Sequence, residues 1–248
     1  MRSGRLAAGG EFTGFRPDAL RFLRALARHN DRAWFESNRP RFEQELRAPL
    51  AALVEEVDVR LAAIAPEIVG HPRQSMFRIH RDVRFSNDKR PYKTNVAAWF
   101  FHGDAGRGVG SATTAHGGAG FYFDIAPEGT TVGGGIWMPP RPTLLRIREA
   151  IDADHETLQA LLVVPATRRR FGSLAPEAML TRMPRGYAED HPAASLLRHR
   201  SFTLGRAMTE RDLFSARLPD LLAREFGRLL PLVRWLNGAL GLRALARR

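Results

Sequence analysis

Residues 76–100 run MFRIHRDVRFSNDKRPYKTNVAAWF, and this stretch settles what kind of sheet the chain builds. From Phe77 to Phe85 the side-chain period is two. Phe77, Ile79, Val83 and Phe85 share one parity with Arg81, while Arg78, His80, Asp82 and Arg84 share the other, the pattern of a strand. Ser86-Asn87-Asp88 carries turn chemistry. Arg90, placed before Pro91, is biased to an extended backbone. Asn95 to Phe101 is a second apolar run, expected to return antiparallel to the first. The same stretch holds six basic and two acidic residues, among them Lys89 and Lys93, the two lysines of the chain.

Two more strands are expected downstream, at 120–125 and 131–138. Tyr122 is opposite in parity to Phe121 and Phe123. The run Gly133-Gly134-Gly135 is too flexible to favour a strand unaided and points to a bulge or to close approach by another group. Upstream, Pro17 and Asp18 suit the first turn of a helix with Leu20, Leu23 and Leu26 on its apolar stripe. His29-Asn30-Asp31 ends that helix and caps a turn carrying Trp34 and Phe35. Pro40 is expected to begin a longer helix, with the stripe Phe42, Leu46, Leu50, Leu53, Val57, Leu61 and Ile64. Pro49 should kink or divide it, and Pro66 stop it.

Helices follow near 143–151 and 154–163, then an irregular stretch at 171–187, a short helix at 193–198 and a strand at 201–204. The C-terminal helix has a stripe of Leu222, Phe226, Leu229, Val233, Leu236 and Leu240, read as core ahead of a partner seam, with a kink at Pro231. The fold class is α+β: a mainly antiparallel sheet covered by N- and C-terminal helices. A single domain is expected over 13–240, with residues 1–12 and 241–248 as frayed ends and a mobile Gly/Ala-rich loop over 102–118.

The chain has 248 residues, 44% of them hydrophobic, enough for a sizeable core. It has no cysteine, which excludes disulfides and thiolate metal sites. There is no apolar run of transmembrane length and no signal-peptide core, so a cytoplasmic protein without a membrane partner is expected. The net charge is +12, and 36 of the 38 basic residues are arginine. That excess is dispersed and matches a compositional drift to Arg, Ala, Gly and Leu. It still favours phosphate-bearing small molecules or nucleic acid as partners.

Lysine is compact and shifts its pKa readily, so a site can demand it where arginine would fail. Lys89 and Lys93, with Arg78, Arg81 and Arg84, form a candidate cradle for phosphate or carboxylate groups. Tyr92 and Trp137 are the aromatic candidates for facing the ligand, Trp137 because it adjoins the glycine run. A metal-independent enzyme is the alternative, with His80 as acid or base oriented by Asp82, and Lys89 or Lys93 stabilising developing negative charge. The third reading is a salt-bridged corner in a scaffold protein, in which Asp82 and Asp88 neutralise two of the cations. Trp34, Trp99, Tyr122 and Trp137 read first as core and second as a base-stacking groove. No P-loop, G-x-S-x-G or H-E-x-x-H motif occurs. His102, Asp104 and His116 lie in the Gly-rich loop, and neither a metal nor a cofactor is expected. The oligomeric state stays open.

Several of these residues resemble the signature of the domain of unknown function 2461 family of conserved hypothetical proteins. Phe77-Arg78-Ile79, Arg81 to Ser86, Asp88-Lys89 and Pro91-Tyr92-Lys93-Thr94 carry the resemblance. Asn30 to Phe35 is similar to the family's N-x-R-x-W-F element, and Gly133-Gly134-Gly135-Ile136-Trp137 to its G-G-G-x-W. Leu145-Arg146-Ile147-Arg148 and Pro184-Arg185-Gly186-Tyr187 are similar to its L-x-x-I-R and P-x-G-Y elements. The resemblance spans roughly 13–220. It implies a soluble protein and no established activity, so any chemistry must be argued from the residues.

Overall fold

Helix α1 (Pro17–Arg28) begins where the sequence places it, with Pro17 in its first turn and Asp18 at its positive end. The computed structural model describes residues 11–84, 88–105, 117–175 and 179–245. Asp31 caps α2 (Arg32–Phe42), its carboxylate accepting the Trp34 N–H at 2.9 Å. Pro40 does not begin the next helix; it lies inside α2. The helical path continues through a π-helical turn, Glu43–Arg47, into α3 (Ala48–Ile64). Pro49 offers no N–H, and its ring would crowd the Glu45 carbonyl. The wider turn just before it lets the path continue. Phe42, Leu46, Leu50, Leu53, Val57 and Leu61 of the expected stripe are buried.

The sheet comprises β1 (Ile68–Val69), β2 (Val96–His102), β3 (Gly120–Ala126), β4 (Gly129–Ile136) and β5 (Phe202–Met208). Its order is β1-β2-β3-β4-β5 and every pairing is antiparallel. Short helix α4 (Pro72–Ser75) leads out of β1. Between β4 and β5 lie α5 (Arg141–Ala153), α6 (His155–Val163), α7 (Pro165–Phe171) and α8 (Ala194–Arg198). After β5 come α9 (Glu210–Leu213) and α10 (Leu218–Ala239), which runs through Pro231 as one helix. Leu222, Phe226, Leu229, Val233 and Leu236 are buried, and α10 packs on β4 and α3, so its stripe is core. This is the expected α+β fold. No helix among the described residues is long and apolar enough to cross a membrane.

The expected strand at 77–85 is corrected. Residues 76–84 run along the outer edge of β2 but make only isolated bridges, Met76 with Ala98 and His80 with Tyr92. The Phe77 N–H donates to Ala97 O at 3.0 Å, Arg81 N–H to Pro91 O at 2.9 Å, and Lys93 N–H to Ile79 O at 2.8 Å. The step from Met76 to His80 covers four residues, against six from Ala98 back to Tyr92, so a continuous ladder cannot keep register. Pro91 also lacks a ladder donor. Phe85, Ser86 and Asn87 lie outside the described residues, as does most of the expected loop, 106–116.

The two faces of the sheet differ. Phe121, Phe123 and Ile125 are fully buried in the main core, and Phe121 stacks on Phe226 of α10 with ring centroids 4.6 Å apart. Tyr122 and Asp124 lie on the opposite face. The glycine run serves the packing of the sheet. A Cβ at Gly134 would sit 3.0 Å from Phe121 Cδ1 and 3.2 Å from Leu229 Cβ, and Gly135, at φ +130°, would collide with the Phe202 carbonyl. What approaches these glycines is α10 and β5.

The ends are tied down where they are described. Phe12 is buried and its N–H donates to Glu56 at 2.8 Å. Near the C-terminus, Arg243 O pairs with His102 Nε2 at 3.0 Å and the Leu245 N–H donates to Glu67 at 3.4 Å. Residues 1–10 and 246–248 lie outside the described residues.

Candidate functional site

The two facing segments 76–84 and 88–95, together called the hairpin, are held in place from the N-terminal helices. Asn30, at the joint between α1 and α2, donates through Nδ2 to Tyr92 O at 3.0 Å and accepts the Tyr92 N–H at 3.0 Å. One amide thus satisfies both backbone groups of a residue 62 positions away. Tyr92 is itself buried, its ring stacked on Phe35 at 4.1 Å. The ring therefore sits in the core as the peg that seats the hairpin, not on a ligand-facing surface. Asn30 and Phe35 belong to one family-like element and Tyr92 to another, and the fold brings the two together.

The cations of the hairpin are partly engaged. Arg84 reaches Asp82 through Nε at 3.0 Å and Nη2 at 2.7 Å. Asp88 pairs with Arg90 at 2.6 Å and with Arg81 at 2.8 Å. These hydrogen bonds and charges hold both carboxyls well below the ordinary carboxylate range, Asp82 through Arg84 and Asp88 through Arg90 first. Lys89 Nζ donates to Val83 O at 3.1 Å, stapling the two arms of the hairpin. Lys93 Nζ lies over the Phe77 ring at 5.3 Å. Arg78 is exposed and adds to the field on Asp82. The buried Nε of Arg81 has no hydrogen-bond partner among the described residues.

His80 is exposed, with its ring 5.2 Å from that of Tyr92. Asp82, expected to orient it, engages Arg84 instead. Trp137 is 58% exposed but lies past Ile136, at the far end of β4 from the hairpin. The hairpin enters the sheet before Val96, which pairs with Ile125, and Ile125 pairs with Thr130. Seven steps along the chain lead from Thr130 to Trp137, about 23 Å in extended backbone. The aromatic groove is likewise dispersed: Trp34 packs on Phe22 at 5.5 Å, and Trp99 is buried. Among the described residues no cluster of three or more His, Asp or Glu is placed to hold a metal ion.

A polar group not singled out in the sequence lies on the sheet face away from α10. Asn95 Nδ2 donates to Asp124 Oδ2 at 3.3 Å. Burial raises the Asp124 carboxyl above its ordinary value, against the opposing pull of Asn95 and Thr131. Burial, and then the Asp124 charge, raise Tyr122 as well. Trp99 pairs in register with Tyr122, and Ala97 with Asp124. The Phe77 ring meets Tyr122 at 6.3 Å and carries Lys93 beside it. The shared parity of Tyr122 and Asp124 was the available signal.

The family model described as conserved hypothetical protein (DUF2461) matches residues 18–235. No curated protein and no solved structure matches the chain.

Proposed function

We propose, for a chain that belongs to the DUF2461 family of conserved hypothetical proteins, that the basic hairpin binds the phosphate of a small anionic ligand in the cytoplasm. The observation that carries this reading is the charge balance. Six cations, Arg78, Arg81, Arg84, Lys89, Arg90 and Lys93, share one hairpin with two carboxylates, leaving a surplus of four positive charges. Asp82 and Asp88 are already committed to arginines. An incoming phosphate meets a segment of net positive charge, and with it the buried Nε of Arg81, which has no hydrogen-bond partner among the described residues. Longer polyanions, nucleic acid included, meet the same charge.

The scaffold reading also draws on an observation. Lys89 bonded to Val83 O, and Asn30 clamped on Tyr92, are what a structural corner needs. The enzyme reading would use His80 as acid or base, oriented by Asp82, with Lys89 or Lys93 stabilising negative charge; Asp82 engages Arg84.

A thermal-shift series decides among them. Inorganic phosphate, pyrophosphate, ATP and a single-stranded oligonucleotide are titrated into wild type, Lys89→Arg and Lys93→Arg at two salt concentrations. At a hundredfold excess over Kd a ligand stabilises by about 2.7 kcal/mol, a rise of roughly 5–10 °C for a domain of this size. Loss of that rise in Lys93→Arg, with unchanged basal Tm, supports anion binding. No rise with any anion refutes it. Loss of basal Tm alone in Lys89→Arg supports the structural corner. A response confined to the oligonucleotide and falling steeply with salt assigns nucleic acid.

A further inference from the structure

We propose a separate anion site at the far edge of the sheet, where Arg170, Arg206 and Arg228 receive the phosphate group of a small phosphate monoester. This site does not rest on the hairpin reading. The hairpin runs along β2, whereas Arg206 stands on β5, the strand that closes the sheet on the other side. Arg170 lies in the last turn of α7 and Arg228 on α10. Three elements thus bring one arginine each to the same place.

Their convergence is direct. Arg170 Nη2, Arg206 Nη2 and Arg228 Nη1 all pair with a single oxygen, Oε1 of Glu225, Arg206 at 3.1 Å and Arg228 at 3.3 Å. Arg170 Nε takes the other oxygen at 2.6 Å. Glu225 is 1% exposed, while the Arg170 and Arg228 side chains are 39% and 48% exposed, so solvent meets the guanidiniums and not the carboxylate. Arg170 alone supplies a buried carboxylate with a counter-charge and a two-point hydrogen bond. Arg206 and Arg228 exceed that need, and gathering them at the same oxygen works against their mutual repulsion. One carboxylate against three guanidiniums leaves a surplus of two positive charges. Asp212 acts on Arg170 through charge, but its carboxylate is committed to the Thr209 cap, accepting from Oγ1 at 2.9 Å. Arg168 and Arg169, exposed in the same turn of α7 as Arg170, strengthen the field.

Donors remain on these head groups. Arg170 commits its Nε–Nη2 side to Glu225, and its Nη1 end has no partner among the described residues. Arg228 commits only Nη1, leaving Nε and Nη2. Arg206 is more fully engaged: Nη2 meets Glu225, Nη1 donates to Ala207 O at 2.7 Å, and the buried Nε has no hydrogen-bond partner among the described residues. Arg206 therefore contributes mainly charge, and Arg170 and Arg228 contribute open donors. Glu225 holds the cluster in place before any ligand arrives, which lowers the ordering cost of binding. The surplus selects the ligand. A phosphate monoester carries roughly −1.5 to −2 charges near neutral pH and offers oxygens in the geometry that guanidinium forks match. A diester, as in a nucleic-acid backbone, carries one charge and neutralises only half of the surplus. Free phosphate shares the chemistry of the monoester.

Isothermal titration of the full chain tests it, with inorganic phosphate, glycerol 3-phosphate and dimethyl phosphate as probes, on wild type, Arg228→Gln, Arg170→Gln and Lys93→Arg. Arg228→Gln is expected to weaken one phosphate-binding event by roughly tenfold or more, the loss of a charged hydrogen-bond donor, and that event should persist in Lys93→Arg. Dimethyl phosphate should bind that site at least about tenfold more weakly than either monoanion-to-dianion probe. Arg228 is exposed and makes a single contact at 3.3 Å, so its variant should keep Tm within about 2 °C of wild type; it keeps the test open if Arg170→Gln fails to fold. Tighter binding of glycerol 3-phosphate than of phosphate assigns an ester, and equal binding assigns the phosphate group alone. Phosphate binding unchanged in both arginine variants, or a diester that binds as tightly as the monoester, overturns the inference and leaves the cluster as a structural ion-pair network. Binding lost in Lys93→Arg but kept in Arg228→Gln places all the phosphate at the hairpin and refutes this site alone; the reverse result refutes the hairpin reading alone.

Discussion

Asn30→Ala tests whether a single amide seats the hairpin. Asn30 supplies the partner for both the N–H and the C=O of Tyr92, each at 3.0 Å, and Tyr92 is 2% exposed. Truncation leaves both backbone groups buried and unpaired. Each such loss costs about 1–3 kcal/mol, so the variant should be destabilised by roughly 2–6 kcal/mol. For a domain of this size that lowers Tm by about 4–24 °C. Asn30→Asp keeps an acceptor for the N–H but turns a carboxylate oxygen toward the Tyr92 carbonyl, so it should not rescue. Asn38→Ala is the control: its Nδ2 donates at 2.9 Å to Trp34 O, one turn back in the same helix, and its loss should cost less than about 1 kcal/mol. Differential scanning calorimetry gives the Tm, and hydrogen exchange reads the Tyr92 amide directly. A Tm within about 2 °C of wild type, with the Tyr92 amide still protected, would refute the clamp.

Gly134→Val should destabilise the fold by about 1–3 kcal/mol through overpacking, read as a lower urea midpoint at unchanged slope, because its Cβ falls 3.0 Å from Phe121 and 3.2 Å from Leu229; an unchanged midpoint would mean that α10 shifts freely. Asp18 is held at about 2, below the ordinary 3.8, first by its hydrogen bond to Arg41 and then by Arg21. A lowered carboxyl contributes stability that is complete above the unfolded value and lost as pH falls through the folded one. Urea midpoints for wild type should therefore drop between pH 3.8 and 2, and Asp18→Asn should flatten that limb; identical acid limbs would discount the pair. Glu225, 1% exposed on α10, takes Arg170, Arg206 and Arg228 together. Glu225→Gln should cost about 3 kcal/mol by stranding those charges, measured by chemical denaturation, and a loss below about 1 kcal/mol would show that the arginines simply turn to water.

Much of the fold was legible because it is written locally. The caps at Pro17 and Asp31, the stripes of α3 and α10, and the alternation of β3 depend on residues within a few positions of one another. The misreadings have local causes too. Pro40 looked like a helix start because proline suits a first turn, yet the π-helical turn after it carries the path past Pro49. Residues 77–85 have strand parity, but parity does not count the residues on the facing arm, and here the two arms differ.

The site shows where local information stops. Sequence alone determined that residues 76–100 form a basic, extended, doubled-back segment with more cations than carboxylates, since charge and period are additive properties of neighbouring residues. Only the tertiary structure decided which carboxylate takes which arginine, that Tyr92 is a buried peg under Asn30, and that Trp137 stands at the far end of the sheet. It also buried Trp99 Nε1 and Asp124 Oδ1 on the sheet face away from α10. Those facts depend on distances between segments tens of residues apart. The packing of whole elements sets such distances, and no periodicity along the chain records them.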